Sequence, residues 1–187
     1  MRIIELLIDV PGRTAVEVYD ALADFERYPD LAEAVNSVDV TRVADNVTRS
    51  AWEVKFRNGL LRWVEEDTFD ADARTIAFRQ LEGDVAVFDG SWHCLDEGED
   101  ARIAFQARLD MGIPSLADAL EPIAARTLVE NTVAIVNGLL GGAVLHDSTV
   151  TRPAEKRSHD DADEARAGDA RELPARPGQV PRRPPPR

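Results

Sequence analysis

The stretch VYDALADFERYPDLAEAVNSVDV, Val18 to Val40, decides the fold. Apolar residues at Ala15, Val18, Tyr19, Leu22 and Phe25 recur at helical spacing. Just ahead of them, TAVE at Thr14 to Glu17 has the form of a capping box. Pro29 disfavours helical geometry at Tyr28, so the helix ends there, and Pro29 itself opens a second short turn through Leu31 and Ala34. By Val38 the apolar period has changed from near 3.6 to 2, that of a strand. A helix, a proline-broken corner and a second helical turn ahead of a sheet predict a corner that rims a cavity.

Outward from this corner the chain is simple. RIIELLIDV, ended by Pro11-Gly12, reads as a first strand. After the corner, Val38–Val43, Val47–Phe56, Leu60–Asp70, Thr75–Leu81, Val85–Leu95 and Ala101–Met111 are β-rich or alternate. The breaks between them (ADN, RNG, DADAR, EGD, DEGED) are turn chemistry, and connections this short imply an antiparallel meander. Past Pro114 one helical pattern runs from Leu116 to about Leu140 and stops at Gly141-Gly142. The predicted class is α+β: a curved antiparallel seven-stranded sheet wrapped around a long C-terminal helix, with two short helices after the first strand. A sheet with one apolar face must cover it, and only the long helix is large enough. A strongly bent sheet around a single helix leaves a hollow.

Residues 1–147 are expected to form the domain and 148–187 a disordered tail. The tail holds seven of the eleven prolines, almost no large apolar residue and much charge, too little apolar surface to offset its ordering entropy. It is also slightly basic, which leaves the domain near −15 out of the total of −13. A domain so acidic is a poor binder of nucleic acid or anionic lipid. Single Cys94 allows no internal disulfide and fits a reducing compartment. The N-terminus lacks a signal-peptide pattern, and no apolar run reaches the ~18–20 residues of an integral membrane span, so a cytoplasmic protein is expected. His93, His146 and His159 are not paired at metal-ligand spacing, and no nucleotide fingerprint, phosphate loop or G-x-S-x-G elbow occurs. Neither metal nor cofactor is expected.

Alternation predicts which side chains face the hollow. In LLRWVEEDTFD the inward parity of Leu61, Trp63 and Phe69 also contains Glu65 and Asp67, two carboxylates on an apolar face. Two readings stand: a general acid/base pair whose pKa values burial would raise, or a bulged or structural pair held by an arginine such as Arg79. Trp52, Phe78, Phe88, Trp92 and Phe105 share the inward parity of their strands and line an aromatic slot or fill a core. On the long helix, Leu116, Leu120, Ala124, Thr127, Leu128, Asn131 and Ile135 form the inward stripe. Thr127 and Asn131 are polar members that need partners there: a ligand, or for Asn131 a helix-to-sheet hydrogen bond. Tyr28 either packs or lines the mouth.

The element order together with YDALADFERYPDL, RWVEEDTFD, FDGSW and the helix after LDMGIP resembles the START-like, or helix-grip, superfamily over residues 1 to about 145. Within it the chain is similar to the polyketide cyclase/aromatase and coenzyme-Q-binding branch. The resemblance implies a hydrophobic small molecule in an internal cavity. It implies either an enzyme promoting aldol cyclisation and dehydration of a poly-β-keto intermediate in antibiotic biosynthesis, or a non-catalytic carrier of a quinone, lipid or polyketide. In the aromatase/cyclases an arginine on the strand bearing the W-V pair, and often a tyrosine after the corner, orient the substrate. Here Asp67 and Val35 stand at those places, leaving Glu65 and Asp67 as catalytic candidates and Tyr28, Trp52, Trp63, Phe78, Phe88, Trp92, Phe105, Thr127 and Asn131 as binding candidates. An acyl carrier protein is the implied means of delivery, for which Arg57 and Arg62 would have to form a basic patch on an acidic domain. A homodimer is left open.

Overall fold

The structure, a computed structural model, describes residues 1–153. Residues 154–187, most of the expected tail, lie outside the described residues. Strand β1 (Arg2–Val10) leads into helix α1 (Ala15–Ala23), a 3₁₀ turn (Phe25–Arg27) and α2 (Tyr28–Leu31). The meander follows as β2 (Val35–Ala44), β3 (Val47–Phe56), β4 (Gly59–Asp70), β5 (Thr75–Gly83), β6 (Val87–Glu97) and β7 (Asp100–Asp110). A 3₁₀ turn (Pro114–Leu116), the long helix α3 (Ala117–Leu140) and a last strand β8 (Val144–Thr151) complete it. One antiparallel sheet runs β2-β3-β4-β5-β6-β7-β1-β8. This is the helix-grip architecture.

Two expectations about the sheet need correction. It has eight strands among the described residues, not seven, and the expected domain boundary at 147/148 falls inside β8. The sequence VLHDSTVT is polar and exposed along its whole length, so no period-2 apolar signal marks it. Its place comes from backbone pairing with β1, Ile3 opposite Thr151 through Asp9 opposite Val144, with His146 as the extra residue of a bulge.

The corner differs in detail. The Thr14–Glu17 capping box is present, but α1 stops at Ala23 because Asp24 leaves helical geometry, and Tyr28 is helical despite the following Pro29. This break turns Phe25 into an edge-to-face contact with Trp52, centroids 5.2 Å apart. Against the sheet, α1 buries Ala15, Val18, Tyr19 and Leu22, the stripe read from the sequence. Ile4, Leu6, Ile8 and Val10 of β1 face Ile103, Phe105 and their neighbours of β7 in a core less than 4 % exposed, where each large aliphatic side chain contributes about 1.5–3 kcal/mol.

Helix α3 turns most of the expected stripe inward: Ala124, Thr127, Leu128, Asn131 and Ile135 face the hollow. Beside them Glu121, Ala125, Thr132 and Val136 are buried as well, whereas Leu116 is 48 % exposed. Glu121, 2 % exposed, bonds the Met1 amino group and sits 3.2 Å from Arg2 Nε, so charges brought by β1 pull this turn inward. By length and composition Pro114–Leu140 also meets the minimum for a membrane span, contrary to the reading of apolar runs. Ala124, Ala125 and Val136 belong to the common core, which makes it the core helix of the grip. Near its end, Gly138 lets α3 touch the corner: a Cβ there would stand 1.9 Å from the Leu31 carbonyl oxygen.

Candidate functional site

Between the concave sheet and α3 lies a cavity of ≈ 90 Å³. Its walls include Tyr28, Trp52, Trp63, Phe78, Phe88, Trp92, Phe105 and Asn131, and both Glu65 and Asp67. Of the eleven candidates only Thr127 is missing from this wall. It lines a second cavity of ≈ 60 Å³ that shares Val54, Trp63, Phe88, Leu128 and Asn131 with the first. Phe25 and Thr132, not singled out from the sequence, complete the first wall.

The acid pair owes its position to register. Across β3 and β4, Trp52 faces Trp63, Ser50 faces Glu65 and Thr48 faces Asp67. A bulge does lie beside the acids, but its extra residue is exposed Leu81 of β5, so β4 keeps its alternation and both carboxylates stay inward. Glu65 is 5 % and Asp67 0 % exposed. Arg79 is not their partner. It pairs with Glu66 on the outer face at 3.1 Å.

Hydrogen bonds give the two acids different roles. Trp52 Nε1 donates to Ser50 Oγ at 2.7 Å, and Ser50 Oγ donates to Asp67 Oδ2 at 2.6 Å. Thr48 Oγ1 adds a donor to the same oxygen at 3.3 Å. Glu65 Oε2 accepts the Trp63 indole N–H at 2.7 Å and has no hydroxyl donor of its own. Burial raises both pKa values. Glu65 is pushed well above the usual carboxylate range by burial and then by the Asp67 charge, with the Trp63 N–H opposing. Asp67 is raised to about 6 by burial, held back by the Ser50 and Thr48 donors. Asp67, with two hydroxyl donors, is the better-stabilised carboxylate, so Glu65 beside it is the acid that burial favours in its protonated form. Asp67 Oδ1, buried and without a hydrogen-bond partner, is the oxygen left for that proton or for a ligand. One acid and one base thus stand side by side in a largely aromatic space.

The remaining candidates divide into lining and scaffold. The Trp52 and Trp63 rings stack at 6.0 Å and 9°, and Trp92 packs on Phe105 at 4.4 Å. Gly90, opposite Phe78, lets β7 and the Phe78 ring pack close, since a Cβ there would stand 2.0 Å from the Gln106 carbonyl oxygen and 2.7 Å from the Phe78 ring. Tyr28 is packed rather than open: its hydroxyl donates to the Leu22 carbonyl at 2.7 Å, and burial raises its pKa. Asn131 makes the helix-to-sheet bond, Nδ2 to the Lys55 carbonyl at 3.1 Å. Val35, at the place of the family tyrosine, is 3 % exposed core. Among the described residues no cluster of three His, Cys, Asp or Glu suits a metal ion.

Ser50 is the functional residue that the sequence reading passed over. It shares the inward parity of Trp52, so alternation alone marks it. Thr132 had no such signal, because it lies at the side of the inward stripe and only the closeness of the walls buries it.

Comparisons agree with this architecture. TTHA0849 of Thermus thermophilus superposes with a TM-score of 0.67 at 26 % identity, covering 72 % of this chain and 93 % of that one. The ZhuI aromatase/cyclase of a Streptomyces species gives 0.65 at 19 %, with coverage of 75 % and 93 %. A START superfamily protein of Mycobacterium smegmatis gives 0.64 at 12 %, with 74 % and 97 %. No protein of curated function matches. The protein-family model described as polyketide cyclase / dehydrase and lipid transport matches residues 12–135, which run from the Gly12 turn through the corner and meander into α3. With that match spanning every wall of the acid-lined cavity, the chain belongs to the polyketide cyclase/dehydrase and lipid transport family, on the START-like fold.

Proposed function

We propose that the protein is a cyclase/aromatase-like enzyme that holds a poly-β-keto or aromatic intermediate in the cavity and promotes aldol closure and dehydration. The proton-sharing pair Glu65–Asp67 carries this reading, because a carrier needs apolar volume and no placed acid. In aldol closure the Asp67 carboxylate takes a proton from an acidic methylene, the carbanion carbon bonds to a ketone carbon, and Glu65 gives its proton to the oxygen that forms. The pair again holds one proton, now on Asp67. In dehydration Glu65 takes the next α-proton, the C–O bond breaks, and Asp67 protonates the departing hydroxyl to water. The stacked indoles and Phe88 would hold the chain flat enough for its ends to meet.

The family arginine is absent, so the acids replace a fixed cation by a mobile proton. Delivery by an acyl carrier protein gains no support from the expected basic patch: Arg62 is tied to Glu53 at 2.6 Å, and its backbone N–H bonds Asp84. Exchange of Glu65→Gln and Asp67→Asn tests the reading. Each should lower turnover of a poly-β-keto substrate by about 10²–10⁴-fold while binding persists. Unchanged turnover, or a quinone or lipid co-purifying stoichiometrically in a native mass spectrum, would favour the carrier that the family description also allows.

A further inference from the structure

We infer that the ligand is bipartite, a flat uncharged head in the acid-lined chamber and a saturated hydrocarbon tail in the second. This rests on the cavity reading above and extends it to the class of substrate.

The two chambers differ in chemistry although they share a wall. The first presents indoles, phenyl rings and the carboxyl pair. The second, beyond Trp63 and Phe88, is closed mainly by Leu61, Val85, Leu109, Met111 and Ala124. No carboxyl lies there, and its polar residues are Lys55, whose ammonium is turned to Glu33 at 3.3 Å, Thr127 and Asn131. The Asn131 amide N–H at the boundary is engaged with the Lys55 carbonyl, which leaves the Thr127 hydroxyl as the one side-chain hydroxyl. Such a space offers little to a polyketone but rewards methylenes. Just past Met111, Ile113 and Leu116 are 43 % and 48 % exposed, so apolar surface continues outward from this end.

The head is constrained by the acid pair. Glu65 offers a proton and Asp67 an acceptor, while no Lys or Arg side chain lines the first chamber. A carboxylate head would meet a buried negative charge with no cation to offset it. A phenol, enol or ketone can accept from Glu65, and the first two can also donate to Asp67. The class is therefore an alkyl-tailed phenol or keto compound, and a fatty acid with its carboxylate in the first chamber is excluded.

Isothermal calorimetry on the full chain at pH 7.5 tests this with 4-ethyl-, 4-butyl- and 4-hexylphenol and with 4-hexylbenzoate. Affinity should rise by roughly 3–4-fold per methylene along the phenols and be lost for the benzoate. Thr127→Phe, which fills the second chamber alone, should abolish the gradient so that ethyl- and hexylphenol bind alike. Met111→Ala should move the best tail to greater length, and far-ultraviolet circular dichroism checks that each variant is folded. A flat series in the unaltered protein, a gradient that survives in folded Thr127→Phe, or equal binding of the benzoate would each overturn the inference. The catalytic reading fails separately: if Glu65→Gln keeps full turnover while the gradient stands, the tail site remains and the acid/base role is wrong.

Discussion

Asp67 is where local chemistry and stability meet. Glu65 and Asp67 both bind protons more tightly in the folded protein than at their ordinary values of 4.5 and 3.8. The native state therefore holds more protons than the unfolded chain above those values. The resulting stability is complete below about pH 4 and is lost as pH rises through about 6, the folded value of Asp67, and beyond it for Glu65. Carboxylates lowered by their partners, such as Asp9 beside Arg102 and Glu53 beside Arg62, act the other way and only in more acid solution. Urea unfolding between pH 5 and 8 should show stability falling with pH, and a shallower fall in Asp67→Asn, which removes one titration and the charge that raises Glu65. Parallel slopes in the two proteins would contradict the proton-sharing pair. At this scale the sequence was informative where alternation governs. Trp63, Glu65 and Asp67 were placed by parity, and Ser50 could have been. What parity cannot carry is the chain of hydrogen bonds itself: that Trp52 donates to Ser50 and Ser50 to Asp67 is a fact of three-dimensional registry.

Among the elements, α3 depends most on its surroundings. Length, start and glycine stop were legible in the sequence, but the burial of Glu121 was not, because its ion pair with Arg2 joins residues far apart in the chain. Thr127 does lie on the inward stripe, in the second chamber and not the first. The seat of α3 on the corner is set by Gly138, against which the Leu31 carbonyl is packed. Gly138→Ala should force helix and corner apart, lower stability by about 1–3 kcal/mol or more, and reveal itself in a lower urea midpoint. A midpoint equal to that of the parent would mean that the two elements do not meet as described. The α1 break at Asp24 was likewise illegible, since its reward is a distant one, the seating of Phe25 on Trp52.

For the whole molecule the decisive correction is β8. Composition separates a charged, proline-rich segment from a domain, but it cannot detect a polar edge strand whose place is fixed by backbone pairing with β1. A chain ending at Asp147 should melt below one ending at Pro153, by roughly 2–4 °C for each kcal/mol of pairing lost in a domain of this size. Differential scanning calorimetry of the two distinguishes a structural strand from a dispensable one, since equal melting temperatures would assign Ser148–Thr151 to the tail after all. The near-parallel indoles of Trp52 and Trp63, at 6.0 Å, have a final consequence. Chromophores that close couple their electronic transitions, so an exciton couplet in the near-ultraviolet circular dichroism is expected, its sign and amplitude following the angle between the two transition dipoles, and its loss in Trp52→Phe would check it. Because each ring is tethered to the carboxyl pair, Trp63 directly and Trp52 through Ser50, the arrival of a guest or the movement of the shared proton is written into the light the protein absorbs.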